Sequence, residues 1–277
     1  MSLKGVILAG GKGERLYPIT RVVNKHLCPI GKKPMIQHCV EKLTDAEVED
    51  IMVVTGGDHL GGIAEFLGSG ADFGCRFEFR VQDEAGGIAQ AIGLTKGFIR
   101  QGDRMCVILG DNIFQDGLLP YARRFICTPD KHAMVVLTRV DDPQRFGVAE
   151  FESRTFGKKE KRPPCYLCAR DFVEDEFIGR CLDDVWIGIK KIEEKPEKPK
   201  SNHAVTGIYF YDYSVFDVID RLKPSGRGEL EVTDINQHYV SNGKLAFELF
   251  EGWWTDAGTH SSFARANDLI RSSDEPD

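Results

Sequence analysis

The sequence predicts an α/β fold, a Rossmann-like and mainly parallel sheet flanked by helices. Several short, near-continuous apolar runs recur along the first half of the chain, as strands buried on both faces require. Stretches of helical length separate them, the alternation that winds a parallel sheet with helices on both sides. The first run, Gly5-Val6-Ile7-Leu8, passes directly into a glycine-rich loop, Gly10-Gly11-Lys12-Gly13. In such sheets, ligands gather beyond the carboxyl ends of strands where the strand order reverses.

Taken in order, residues 4–10, 51–55, 75–81, 105–110 and 133–140 read as strands. Helices fill the gaps. Pro34-Met35-Ile36 opens one, because proline is tolerated in a first turn, and Gly86 to Phe98 and Asp116 to Cys127 read as two more. Beyond about residue 143 the alternation is less regular, with strands predicted at 146–151, 186–194 and 204–211 and helices near 214–221, 231–241 and 260–271. No internal repeat or low-complexity tract is visible. Residues 1–277 are therefore expected to form one continuous domain, with 152–186 as an inserted segment.

Composition narrows the chemistry. At 42% hydrophobic and 29% charged over 277 residues, the chain can bury one large core or two modest ones. It has no run of about 18 apolar residues and no secretion-signal pattern, so a cytoplasmic protein without membrane contact is expected. A net charge of -7 with no long basic tract argues against nucleic acid as a partner. Any anionic ligand must be met by local cations.

The loop after the first strand supplies such cations. Three glycines let the backbone turn sharply and bring N–H groups to anionic oxygens, while Arg15 and Lys25 add charge. The dinucleotide-binding fingerprint does not fit: Leu16 stands where it needs a third glycine, and Val53-Val54-Thr55-Gly56 lacks the acidic residue that closes its second strand. The P-loop spacing is also missing.

Gly10-Gly11-x-Gly13-x-Arg15-Leu16-x-Pro18-x-Thr20, followed by Lys25-x-x-x-Pro29, resembles the opening signature of the sugar-1-phosphate nucleotidyltransferase family. Further blocks point to its thymidylyltransferase members acting on glucose 1-phosphate. They are Val81-Gln82 with Gly87-Ile88-Ala89-Gln90-Ala91; Leu109-Gly110-Asp111-Asn112; Glu193-Glu194-Lys195-Pro196 through Val205-Thr206-Gly207-Ile208-Tyr209; Arg227 through Asp234; and Trp254-Thr255-Asp256-Ala257-Gly258-Thr259-His260. The resemblance runs from about Lys4 to about Asn267. It implies a nucleotidyltransferase fold with a smaller mixed sugar-binding part after residue 143.

Joining a nucleoside triphosphate to a sugar phosphate brings two polyanions together, so catalysis consists largely of positioning and charge neutralisation. The attacking phosphate is already ionised at neutral pH, with a second pKa of about 6, and needs no catalytic histidine. A direct in-line displacement at the α-phosphorus is expected. Asp111, at the end of an apolar strand, suits magnesium as a hard oxygen ligand; by resemblance Asp256 is the second metal aspartate. Arg15 and Lys25 are assigned to the triphosphate, Arg15 for its planar fork. The resemblance puts Lys195 on the sugar phosphate, and Glu194 is expected to accept sugar hydroxyls.

Gln82 can present a donor and an acceptor to a pyrimidine edge, and Gly87 lets the backbone approach the base. This favours thymine or uracil without separating them, since a methyl group is worth only about 1–3 kcal/mol in an apolar pocket. Leu8, Gly10, Gly11 and Gly13 complete the nucleotide side by resemblance, and Phe146, Gly147, Val205 and Tyr209 the sugar side. A uridylyltransferase, or a non-catalytic sensor of nucleotide sugars, remains an alternative reading. The partners expected are small molecules; self-association into a homo-oligomer stays open. Two positions depart from the pattern: His26 stands where thymidylyltransferases usually have glutamine, and Phe146 where tyrosine is common. The longer helical tail that many members use for regulation is not expected here.

In the inserted segment, which the resemblance expects to be a short hairpin connection, Cys165-Tyr166-Leu167-Cys168 and Cys181 have the spacing of a zinc knuckle. Asp171, Asp183, Asp184, a partner subunit or water would supply the fourth ligand. The other five cysteines, Cys28, Cys39, Cys75, Cys106 and Cys127, mostly sit in apolar contexts and read as small core residues, without disulfides.

Overall fold

The computed structural model of the chain describes residues 2–155 and 185–274. Cys165, Cys168 and Cys181, with their proposed zinc, lie outside the described residues. In chain order the elements are β1 Leu3–Ala9, β2 Pro29–Ile30, β3 Lys33–Pro34, α1 Met35–Asp45, β4 Asp50–Gly56, α2 Leu60–Leu67, β5 Arg76–Gln82, α3 Ile88–Gly93, β6 Arg104–Leu109, β7 Asn112–Phe114 and α4 Leu119–Ile126. They continue with β8 Ala133–Arg139, β9 Gly147–Thr155, β10 Val185–Glu194, β11 His203–Asp212, α5 Val215–Ile219, α6 Val232–Ser241, β12 Leu245–Leu249, β13 Trp254–Asp256 and α7 His260–Asp274.

The main sheet has the order β10-β9-β11-β6-β1-β4-β5, with β8 paired to β11 and β12 to β8. Its centre, β6-β1-β4-β5, is parallel throughout, as the alternation predicts. β11 runs antiparallel to β6, β8 and β9, and β9 antiparallel to β10, which is the mixed part behind the looser pattern beyond residue 143. Apolar runs are continuous where both sheet faces are covered: Val6 and Leu8 pack into one core, Ile7 and Ala9 into the other. Burying a Val, Leu or Ile side chain in this way contributes roughly 1.5–3 kcal/mol. The edge strand β5 instead alternates exposed Arg76, Glu78 and Arg80 with half-buried Phe77 and Phe79, as a strand covered on one face must.

β1 pairs with β4 on one side and with β6 on the other, Leu8 opposite Leu109. The strand order reverses there, so the Gly10 loop and Gly110-Asp111 leave the sheet side by side.

Three helices are shorter than predicted, the 214–221 segment being helical only over Val215–Ile219. The 86–98 segment is helical only over Ile88–Gly93; the Thr95 hydroxyl and N–H both donate back to the Ile92 carbonyl and close the helix in a turn. The 116–127 segment begins at Leu119, because the Asp116 carboxylate instead accepts from Tyr121 and from the backbone N–H groups of Glu251 and Gly252. Cys28, Cys39, Cys75 and Cys106 are buried, but Cys127 is exposed at the end of α4. No helix among the described residues is long and apolar enough to cross a membrane.

Candidate active site

Asp111 follows β6 by two residues and its carboxylate is held from two sides. Lys25 Nζ lies 2.6 Å from its Oδ2, with both side chains about seven-eighths buried, and Asn112 Nδ2 donates to Oδ1 at 3.1 Å. Asn112 cannot turn its amide over, since its own Oδ1 accepts from Gly207 N (2.9 Å) and Trp254 Nε1 (2.7 Å). Burial pushes the Asp111 carboxyl upward, but Lys25 and these hydrogen bonds outweigh it and hold the group below the usual carboxylate range.

Asp256 comes from a distant segment. β13 pairs antiparallel with β7, Asp256 opposite Asn112, and Ala257 N donates to the Asp111 carbonyl at 2.7 Å. This short ladder brings the two aspartates to one place. Gly258 marks the gap between them: a Cβ there would sit 3.3 Å from Asp256 Oδ2, 3.4 Å from Asp111 Oδ2 and 3.2 Å from Arg15 Nη2. Burial raises the Asp256 carboxyl above its ordinary range, and the negative charge of Asp111 adds to this against the pull of Arg145 and Arg15.

The Gly10–Arg15 loop lies against this gap. Gly11 and Gly13 adopt positive φ (89° and 66°), a conformation that side chains disfavour, and Thr20 Oγ1 donates to the Gly13 carbonyl at 2.7 Å. Lys25 sits in a short turn begun by Asn24, whose Oδ1 accepts from His26 N. His26 itself is buried against Gly110, and burial, with Lys25 beside it, pushes its imidazole down to about 3. An unfolded chain binds a proton at this histidine below about pH 6.5 that the folded chain refuses. Stability therefore falls as pH drops below that point. His26→Gln is expected to lose less stability between pH 7 and pH 5 than the wild type, as read from urea unfolding at each pH.

A cavity of about 520 Å³ opens from the aspartates. Arg15, Asp111 and Asp256 line one part of it, and all six residues predicted for the sugar, Phe146, Gly147, Glu194, Lys195, Val205 and Tyr209, line the rest. Glu194 Oε2 accepts from Thr233 Oγ1 at 2.7 Å, and its Oε1 lies 3.6 Å from Lys195 Nζ and 3.8 Å from Arg227. Lys195 carries a positive φ of 43° and its N–H donates to the Phe146 carbonyl at 2.9 Å. Leu8, Gly10, Gly11, Gly13, Lys25, Gln82 and Gly87 are not in the cavity wall. They form a neighbouring group: Gly10 faces Gln82, whose Nε2 donates to the Gly87 carbonyl at 3.3 Å, and Lys25 packs by Gly13.

Sequence reasoning missed Arg145. Its Nη2 lies 3.2 and 3.3 Å from the two Asp256 oxygens and its Nη1 2.8 Å from Asp142. The only signal was its position directly before Phe146-Gly147. Arg227, quoted within a motif but given no role, also lines the cavity.

The sequence pattern of the Nucleotidyl transferase family matches residues 4–273. The chain is 37% identical over 271 residues to a glucose-1-phosphate thymidylyltransferase of Neisseria gonorrhoeae, covering 97% of this chain and 83% of that one. With the Xanthomonas campestris enzyme of the same name, identity is 39% over 269 residues, 96% of this chain and 80% of the relative. Among solved structures, a Bacillus anthracis chain named as a candidate glucose-1-phosphate thymidylyltransferase and solved with a sucrose superposes with a TM-score of 0.81. It is 49% identical and the match covers 100% of this chain and 98% of that one. A UDP-glucose pyrophosphorylase complexed with UDP-glucose shares the fold at 22% identity, with a TM-score of 0.78 over 99% of this chain and all of the other. With the matching pattern spanning nearly the whole chain and the same fold beneath it, this protein belongs to the nucleotidyl transferase family.

Proposed function

We propose that the protein couples a pyrimidine nucleoside triphosphate, dTTP foremost, to a sugar 1-phosphate, glucose 1-phosphate foremost, giving a dTDP-sugar and pyrophosphate. The observation that carries this reading is a single cavity with paired aspartates and Arg15 in one part and Glu194 and Lys195 in another. The names of the thymidylyltransferase relatives support the choice of substrates.

Lys195 offsets the sugar phosphate's charge and Glu194 accepts sugar hydroxyls, so that a phosphate oxygen reaches the α-phosphorus. Its bond to phosphorus forms as the bond to the pyrophosphate oxygen breaks. Arg15 and Lys25 take up the negative charge that grows on the leaving group. Asp111 and Asp256 fit a magnesium ion: two carboxylate oxygens flank a gap that a single Cβ would fill. Bound there, the ion would neutralise phosphate charge as a Lewis acid. Leu8, Gly10, Gly11 and Gly13 approach the phosphates and ribose, while Gln82 and Gly87 read the base.

Pyrophosphate release, measured for dTTP, UTP, dCTP and ATP against a panel of sugar 1-phosphates, tests the proposal. Release greatest with dTTP and glucose 1-phosphate is expected; tight nucleotide binding without release for every pair would instead support a sensor. Gln82→Ala should relax base selection more than it slows turnover, as seen in kcat/KM for the same nucleotides.

The same reading takes the chain as one cytoplasmic domain carrying the 152–186 insertion. Cysteine spacing alone supports zinc in that insertion. One zinc per chain by elemental analysis, lost on Cys165→Ser, is the expected result, and metal-free protein would exclude it.

A further inference from the structure

We infer that Gln90 is a positioning residue for base choice: it fixes which end of the Gln82 amide faces the nucleotide. This rests on the function proposed above and deepens it. Two backbone groups beside these side chains have a polarity that cannot change. Gly86 N–H, shared with the Glu84 carbonyl at 2.8 Å, donates to Gln90 Oε1 at 3.1 Å and favours the Gln90 oxygen pointing inward. That oxygen then accepts from Gln82 Nε2 at 2.6 Å. The carbonyl of Gly87, also only an acceptor, takes the second Nε2 hydrogen at 3.3 Å. Both hydrogens of the Gln82 amide are thereby spent within the protein.

The end turned toward the nucleotide loop is therefore the oxygen. Gln82 Oε1 lies 3.1 Å from the position a Cβ would take on Gly10. Gly86 supplies independent support. Its φ lies outside the left-handed region, so the backbone does not demand glycine, yet a Cβ there would fall 2.4–2.5 Å from the Gln90 amide atoms. The missing side chain leaves room for that amide.

An oxygen presented in this way accepts a hydrogen bond and cannot give one. Thymine and uracil carry a hydrogen on N3; cytosine carries a lone pair there. A fixed acceptor facing N3 thus welcomes the first two and repels the third, a selection made by an unfavourable contact as much as by a favourable one. Without Gln90, only the longer bond to the Gly87 carbonyl would oppose a turn of the Gln82 amide that offers its N–H to cytosine.

The test is calorimetric binding of dTTP and dCTP to the full chain with magnesium, which reads base choice whether or not turnover occurs. The wild type should prefer dTTP. Gln90→Leu and Gln90→Ala should each narrow the dTTP-to-dCTP preference by about tenfold or more, with little change in thermal unfolding. Gln90→Glu, which keeps an acceptor for both Gly86 N–H and Gln82, should retain the preference. Equal wild-type affinity for the two nucleotides, an unchanged preference in the Leu and Ala variants, or equal narrowing in the Glu variant would overturn the inference. Absence of pyrophosphate release would fall on the proposed reaction alone.

Discussion

Asp111→Asn and Asp256→Asn are each expected to lower kcat/KM by about a hundredfold or more, because each would remove a full charge from the place where the proposed reaction offsets phosphate charge. Their effects on stability differ. The Asp256 carboxyl is raised by burial and by Asp111, so keeping it ionised at neutral pH costs folding free energy. Its replacement by a neutral amide is expected to leave the unfolding midpoint unchanged or slightly higher. Asp111 is the reverse case, held low chiefly by Lys25 against the cost of burial. Near-normal turnover in either variant, measured with urea unfolding alongside, would remove that residue from the machinery.

Lys25→Met is expected to cost about 3–5 kcal/mol of stability at neutral pH, besides most of the activity, because it strands the buried Asp111 carboxylate. The sign with pH follows from the depressed Asp111 group. Its stabilising contribution is complete well above the ordinary carboxylate pKa of about 3.9 and is lost as pH falls through the lower, folded value. In Lys25→Met that acid-labile contribution disappears. The double variant Lys25→Met/Asp111→Asn should regain most of the lost stability and none of the activity, a coupling that urea unfolding of the four proteins measures directly. Additive losses would mean that the pair does not act as a unit.

The features legible in the sequence were those written locally. Continuous apolar runs marked β1, β4, β6 and β8 because both faces of those strands are covered, and the glycines and Arg15 marked the loop at the point where strand order reverses. The six sugar-side residues, carried by motif resemblance, line one cavity in the structure. Most of what escaped was made by contacts between distant segments, and the rest by side chains whose partners follow no period. The β7 and β13 ladder joins two three-residue strands separated by 139 residues in the chain, too short for any period to show. Yet it is what sets Asp256 beside Asp111. Arg145 owes its place on Asp256 to a turn that has no signature of its own, and Gln90 acquires meaning only once Gly86 and Gln82 are seen around it. The overlong α4 prediction failed for the same reason, since Glu251 and Gly252 claim Asp116, whereas α3 is cut short locally, where Thr95 bonds back to Ile92.

The proposed reaction requires the Gly10–Arg15 loop and the two aspartates to receive a metal-bound triphosphate. A crystal structure with dTTP and manganese in place of magnesium tests it most directly. Anomalous density beside Gly258, in contact with both Asp111 and Asp256, with the phosphates along the loop, is the expected result. Phosphates bound away from the loop, or manganese bound away from either aspartate, would contradict it.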